Sequence, residues 1–377
     1  MSNVHKFFLS RFISHLYIWG VISIPYFIYR GLGAEEAFGL LGLYSLLVVL
    51  LEYPTGVVGD VFGHKTSLIL GYVFSFIGFV ILAFNMPARA YVIPMLILSV
   101  AASFTSGSDV ALLKSISKSF KKDMRMYHFL LSAAFVPGSL LGGVLAEYSL
   151  PFSVAVMSGL YFVSLIILFF VKAPKKVRGN LSGNVFSTVW DSVGILKNPR
   201  VVLIFLLFAF VRGFSMNIKS LVNTMNSIFE FPFYWVGIVV ALGFLFRSVG
   251  YLFSDKLEKY RSIHLIALMS LLLVGVGMIQ KVWFAAVVFV FSNLIVAAVA
   301  LRLKFEIFEM ATEISRASVL SLLNLFSRLF SSFYLFASGL LIVSSGYYSL
   351  ILLTGVFFSI LYLMRVFFGS VIRGFAR

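Results

Sequence analysis

Apolar runs of about twenty residues alternate along this chain with short gaps rich in Gly, Pro and charge. A helix rises about 1.5 Å per residue, so about twenty apolar residues cross the ~30 Å hydrocarbon core of a bilayer. Cutting at the gaps predicts twelve spans: 10–30, 36–59, 65–85, 91–113, 126–147, 150–171, 200–222, 233–254, 262–280, 282–303, 317–342 and 346–368. The expected fold is an all-α membrane protein with twelve transmembrane helices. Only one gap is long. Residues 173–199 are polar, with Gly179, Asn180, Ser182, Gly183 and Asn184, and they separate a six-helix half (1–172) from a second (200–377). Inside this gap, 185–197 reads as an amphipathic segment lying on the inner surface.

Composition agrees with that pattern. Of 377 residues, 61% are hydrophobic and 12% charged, against about half and a quarter in soluble chains. The net charge of +16 would suggest nucleic acid, but its location argues for a membrane. Gaps of one parity and the span edges beside them, with Lys6 and Arg11 near the N-terminus, hold 22 Lys and Arg; those of the other parity hold Arg30, Arg89 and Lys281. Basic residues stay on the cytoplasmic side, so both termini are expected there and no nucleic-acid partner is expected. The first helix is too long for a signal peptide. With no Cys, no His-rich cluster and no nucleophile–base pair of usable spacing, neither metal, cofactor nor enzyme activity is expected. No glycine-rich phosphate loop supports ATP drive.

The gap after the second span reads Gly56-Val-Val-Gly-Asp60-Val-Phe-Gly63-His64-Lys65, preceded by Glu52-Tyr-Pro54-Thr55. It resembles the signature loop of the major facilitator superfamily: Gly, three residues, Asp, two residues, Gly, one residue, a basic residue. Gly63 suits a tight reversal, and Asp60 suits the amides of a helix end. Ser106-Gly107-Ser108-Asp109-Val-Ala111 on the fourth span and Arg316-Ala-Ser-Val-Leu-Ser321 on the eleventh are similar to patterns found there in the same group. An echo of the loop follows the eighth span, with Asp255 and Lys256 kept and Glu258 where the second Gly belongs. Pro137-Gly138 with Gly142-Gly143 on the fifth span is similar to an element of drug–proton antiporters, with Pro and Gly reversed.

The resemblance implies two pseudo-symmetric six-helix bundles that rock about a central path. It implies a gating role for Gly56, Asp60, Gly63, His64 and Lys65, with Arg316 as the partner of Asp60. Spans 1, 4, 7 and 10 are expected to line the path, and 3, 6, 9 and 12 to face lipid.

Ionisable groups at membrane depth are costly and mark function by default. Here they are Glu52, Asp109, Arg212, Lys219, Arg247, Arg328 and Arg365. A carboxylate exposed alternately to the two sides can load and release a proton, which makes Asp109 and Glu52 the candidates for coupling. The plainer alternatives are a Glu52–Arg247 pair, an Asp109–Lys114 pair, and an Arg365 that snorkels to the inner surface. Arg212, Lys219, Arg328, Asn217, Asn293, Tyr17 and Tyr26 are the candidate solute contacts, with interhelical bonding or core packing as the alternative for the amides and aromatics. In the second half four basic groups at depth face no acid, which favours an anionic, zwitterionic or amphipathic small organic solute. The expected function is a secondary active transporter, proton-coupled and exporting, acting as a monomer in a prokaryotic inner membrane. A passive or sodium-driven facilitator and a non-transporting receptor on the same fold are the alternatives.

Overall fold

The computed structural model describes residues 2–173, 199–252, 262–310 and 316–374, and among these all regular structure is helical. The first six spans are α1 (Asn3–Ser14) with α2 (Trp19–Tyr29), α3 (Ala34–Phe62), α4 (His64–Ala83), α5 (Val92–Thr105) with α6 (Ser108–Ile116), α7 (Phe120–Tyr148) and α8 (Leu150–Phe169). The other six are α9 (Pro199–Phe229), α10 (Phe233–Leu252), α11 (Ser262–Ile279), α12 (Val282–Met310), α13 (Arg316–Ser345) and α14 (Tyr347–Gly374). Eleven spans are long and apolar enough to cross a membrane, and within α11 the apolar stretch His264–Ile279 is shorter. The central loop, the segment 185–197 and the echo around Asp255 lie outside the described residues. So does the side chain of Arg316.

Local chemistry explains the ends. Ser2 caps α1 through the His5 N–H, and Ser149 caps α8 through the Phe152 N–H, both at 3.3 Å. Glu36 reaches back to the Gly33 N–H at 2.9 Å and closes the start of α3. A single residue, Gly63 at φ +96°, turns α3 into α4, a conformation that favours a residue without Cβ.

Two expected spans are interrupted. Span 4 breaks at Ser106 and Gly107, where Gly107 takes φ +75°. Span 1 breaks over 15–18, where Ser14 Oγ and the His15 N–H both turn back to the Arg11 carbonyl (2.9 and 3.1 Å). The broken backbone lies against α7. A Cβ placed on Gly138 would stand 2.5 Å from Tyr17 N, so only glycine admits this approach.

The chain forms two compact units. Unit 1 comprises Met1–Asn180 and Lys219–Leu245, and unit 2 comprises Leu181–Ile218 and Phe246–Arg377. The boundary between them cuts α9 and α10 within the helices. In lipid the hydrophobic effect does not drive helix association, so close packing and interhelical bonds must. In unit 1, Gly71 lets α4 approach α5: a Cβ there would lie 2.5 Å from Thr105 Cγ2. At the end of unit 1 where α1 begins, Phe7, Leu68, Leu112 and Leu168 close a buried core around Tyr72 and Tyr127. In unit 2, Gly277 and Gly355 do for α11 and α14 what Gly71 does in unit 1. Ser270 Oγ adds a bond to the Gly355 carbonyl at 2.9 Å.

Candidate functional site

The best-formed polar constellation lies in unit 1, and it is built on a residue expected elsewhere. The sequence pattern places Arg11 with the inner surface charges. Because α1 begins at Asn3, Arg11 sits eight residues in, about 12 Å along the axis, and is 6% exposed. Its Nη2 donates to Asp109 Oδ2 at 2.8 Å, its Nε to Tyr127 Oη at 3.0 Å and its Nη1 to Tyr72 Oη at 3.3 Å. Tyr127 Oη in turn donates to Asp109 Oδ2, and Ser14 Oγ lies 3.1 Å from Tyr72 Oη. Asp109 Oδ1 accepts the Val110 N–H at 2.8 Å. Four spans thus share one guanidinium. The Asp109–Lys114 alternative gives way to Asp109–Arg11, because the break at Gly107 starts α6 beside Arg11.

Glu52 is half-buried on α3 and accepts from Ser106 Oγ at 2.7 Å, at the break in span 4. In the last turn of α3, Asp60 is exposed and faces Nε2 of His64, the first residue of α4, at 3.9 Å.

Tyr17 stands on the break in span 1. Lys219 Nζ lies 4.3 Å from its ring centroid, a cation–π distance. Phe135 meets Tyr17 edge-on (5.7 Å), meets His15 edge-on (6.0 Å), and stacks on Phe244 (4.2 Å). A cation, an imidazole and three aromatic faces therefore gather in unit 1. Asn223 donates to Gly20 O and Ser23 Oγ (3.3 and 3.0 Å), and its Oδ1 has no partner among the described residues. Phe135, Phe244 and His15 carry no sequence signal that separates them from other aromatics and imidazoles; only the fold gathers them. Tyr26, expected beside the solute, is fully buried instead: its hydroxyl donates to Leu82 O, Arg30 Nε donates to it at 3.0 Å, and Trp19, Phe27 and Tyr91 surround it.

In unit 2 the expected contacts divide. Asn217 is 3% exposed and clamped reciprocally to Ser331, donating to its carbonyl and accepting from its Oγ, both at 3.1 Å. Asn293 Oδ1 accepts from Arg247 Nη2 at 2.6 Å, and Nδ2 donates to Phe289 O at 2.8 Å. Arg247 Nη2 also reaches Ser215 O at 2.9 Å. These two amides join helices and leave little to offer a solute. Arg365, expected to snorkel, pairs with Glu306. Arg328 is half-buried on α13. Arg212 is also half-buried on α9 and makes no hydrogen bond or ion pair among the described residues. Its charge and that of Lys304 on α12 repel each other.

The comparisons with known proteins follow from this fold. Residues 7–305 match the model of the Major Facilitator Superfamily. A relative from Bacillus subtilis (strain 168), the uncharacterized MFS-type transporter YxaM, is 24% identical over 224 residues, 57% of this chain. The match spans about half of that relative, 53% of its length. Among solved structures, the peptide transporter POT in complex with sulfate has TM-score 0.80 at 12% identity, covering 98% of this chain and 94% of that one. A POT family transporter in complex with 5-aminolevulinic acid has TM-score 0.78 at 13% identity, covering 98% and 96%. The nucleoside transporter NupG has TM-score 0.76 at 12% identity, covering 97% and 98%. At these identities the structures speak for the fold alone.

Proposed function

Since this chain belongs to the major facilitator superfamily, and is thus an integral multi-pass membrane transporter, we propose that it moves a small organic solute bearing an anionic group by alternating access. The observation that carries the reading is Arg212: a guanidinium at membrane depth, repelled by Lys304 and without a protein partner among the described residues. An unpaired charge near the bilayer centre costs about 3 kcal/mol, and a carboxylate or phosphate of a solute is the group that offsets it best. The aromatic faces of Tyr17, Phe135 and Phe244 with Lys219 supply a second region, suited to a planar or apolar body beside a negative group.

Coupling to a proton falls to Glu52 in this reading. Asp109 is committed to Arg11, Tyr127 and its own helix start, whereas Glu52 touches the break in span 4 through Ser106. Gating by Asp60 and the inward site of both termini belong to the same proposal.

Binding is tested by a thermal-shift screen of purified protein against anionic and neutral analogues of candidate metabolites. Arg212→Ala should weaken an anionic ligand about tenfold to hundredfold, and its neutral analogue far less. Equal losses for both would remove Arg212 from the solute site. Coupling is tested in proteoliposomes. Glu52→Gln should abolish uphill movement under a pH gradient and spare counterflow; uphill movement that survives places the proton elsewhere.

A further inference from the structure

Three lysines of unit 1 gather at the last turn of α8. Lys65 Nζ donates to Phe169 O at 3.0 Å, and Lys6 Nζ to Phe170 O at 3.4 Å. Lys172 follows two residues later and is held in place by Asn3. Its N–H donates to Asn3 Oδ1 at 3.3 Å, and Asn3 Nδ2 donates back to its carbonyl at 3.1 Å. Spans 1, 3 and 6 therefore bring three ammonium groups to one end of the bundle.

A helix C-terminus carries about half a negative charge, so it answers only part of three full positive ones. Among the described residues none of the three lysines pairs with a carboxylate. Asp60, five residues before Lys65, faces His64 instead. A surplus of more than two charges is left where the chain leaves the apolar core. The neighbouring rings are out of the protein interior: Phe169 is 57% exposed and Phe170 64%, and Phe62, just before the turn into α4, is 68% exposed. Rings at this level face the acyl chains, while ammonium groups beside them face the headgroups.

We propose that Lys6, Lys65 and Lys172 form a binding site for the headgroup phosphate of an anionic phospholipid, with its acyl chains running along Phe169 and Phe170. The site uses the carbonyl-capping geometry to hold the ammonium groups of Lys6 and Lys65 in place before the lipid arrives, while Asn3 fixes the backbone of Lys172 beside them. It is independent of which solute is carried and of the direction of transport.

The test uses the full chain, purified and delipidated in neutral detergent, and titrated with dioleoylphosphatidylglycerol, dioleoylphosphatidylcholine or inorganic phosphate. Native mass spectrometry counts bound lipid, and the melting temperature is followed in parallel. The glycerol lipid should bind and raise the melting temperature, and the choline lipid should do neither. Lys6→Gln and Lys172→Gln should each weaken binding about fivefold, and the triple variant with Lys65→Gln roughly a hundredfold. Glutamine keeps a donor for the α8 carbonyls, so the fold is retained while the charge is lost. The three Lys→Arg replacements should bind as wild type does. Unchanged binding by the triple glutamine variant, or equal response to the two lipids, overturns the proposal. Inorganic phosphate that displaces the lipid and reproduces its stabilisation assigns the cluster to soluble phosphate and overturns it equally.

Discussion

Arg11 and Arg212 meet the same bilayer on opposite terms. Arg11, in unit 1, spends Nε, Nη1 and Nη2 on two tyrosines and an aspartate, and is almost out of contact with its surroundings. Arg212, in unit 2, is half-buried, and Lys304 repels it. Both side chains carry a charge that lipid will not solvate, and hydropathy treats them alike. The difference lies in the partners. A charge whose donors are all satisfied holds helices together and has nothing left for a ligand. A charge left without a partner is a cost that persists until something arrives to share it. The same distinction separates Asn217, closed onto Ser331, from Asn223, whose carbonyl oxygen is still unmatched.

The comparison is broken most directly by removing the arginines in turn. Arg11→Ala leaves the largely buried Asp109, bonded to the Tyr127 hydroxyl, without its cation, and breaking such a pair costs about 3–5 kcal/mol. The expected result is a large fall in melting temperature and in yield, partly restored by Arg11→Gln with Asp109→Asn, which keeps the bonds and removes both charges. A thermally normal Arg11→Ala protein would mean that water already reaches Asp109.

A smaller effect comes from inside the network. Tyr127→Phe removes one donor to Asp109 and one acceptor for Arg11, and should cost about 1–3 kcal/mol with the ion pair intact. A loss as large as that of Arg11→Ala would show that the hydroxyl, not the charge pair, organises the cluster.

The smallest effect is expected at Arg212. Without ligand, Arg212→Ala should shift stability by no more than about 0.5 kcal/mol, or raise it as the repulsion of Lys304 is relieved. Marked destabilisation of the ligand-free protein would erase the contrast, because Arg212 would then be structural as well.

The spans themselves were legible, since run length in apolar residues is a direct consequence of bilayer thickness. Ends agreed to within several residues, and the overshoot was mostly at basic ends, as where α12 continues through Lys304 to Met310. Gly63 was legible too, because a one-residue reversal asks for a residue without Cβ. What escaped was pairing. Arg11 and Asp109 are 98 residues apart, and no local period reports that a fold joins them. Arg11 also stands at the edge of the expected first span, so the roughly two extra turns of depth that α1 provides could not be seen. The breaks escaped for a related reason. Ser106-Gly107 was visible only as a motif, and 15–18 carries no breaker of its own, since the room for it is made by Gly138 on another helix.

The gap in span 1 has a mechanical meaning. Below it, α1 is tied by Arg11 to α4, α6 and α7; above it, α2 is tied at Gly20 and Ser23 by Asn223 of α9. An unbroken helix is stiff in torsion and passes any twist from one tie to the other. Four non-helical residues form a swivel instead, and each end of the span can keep its own bonds while the other turns.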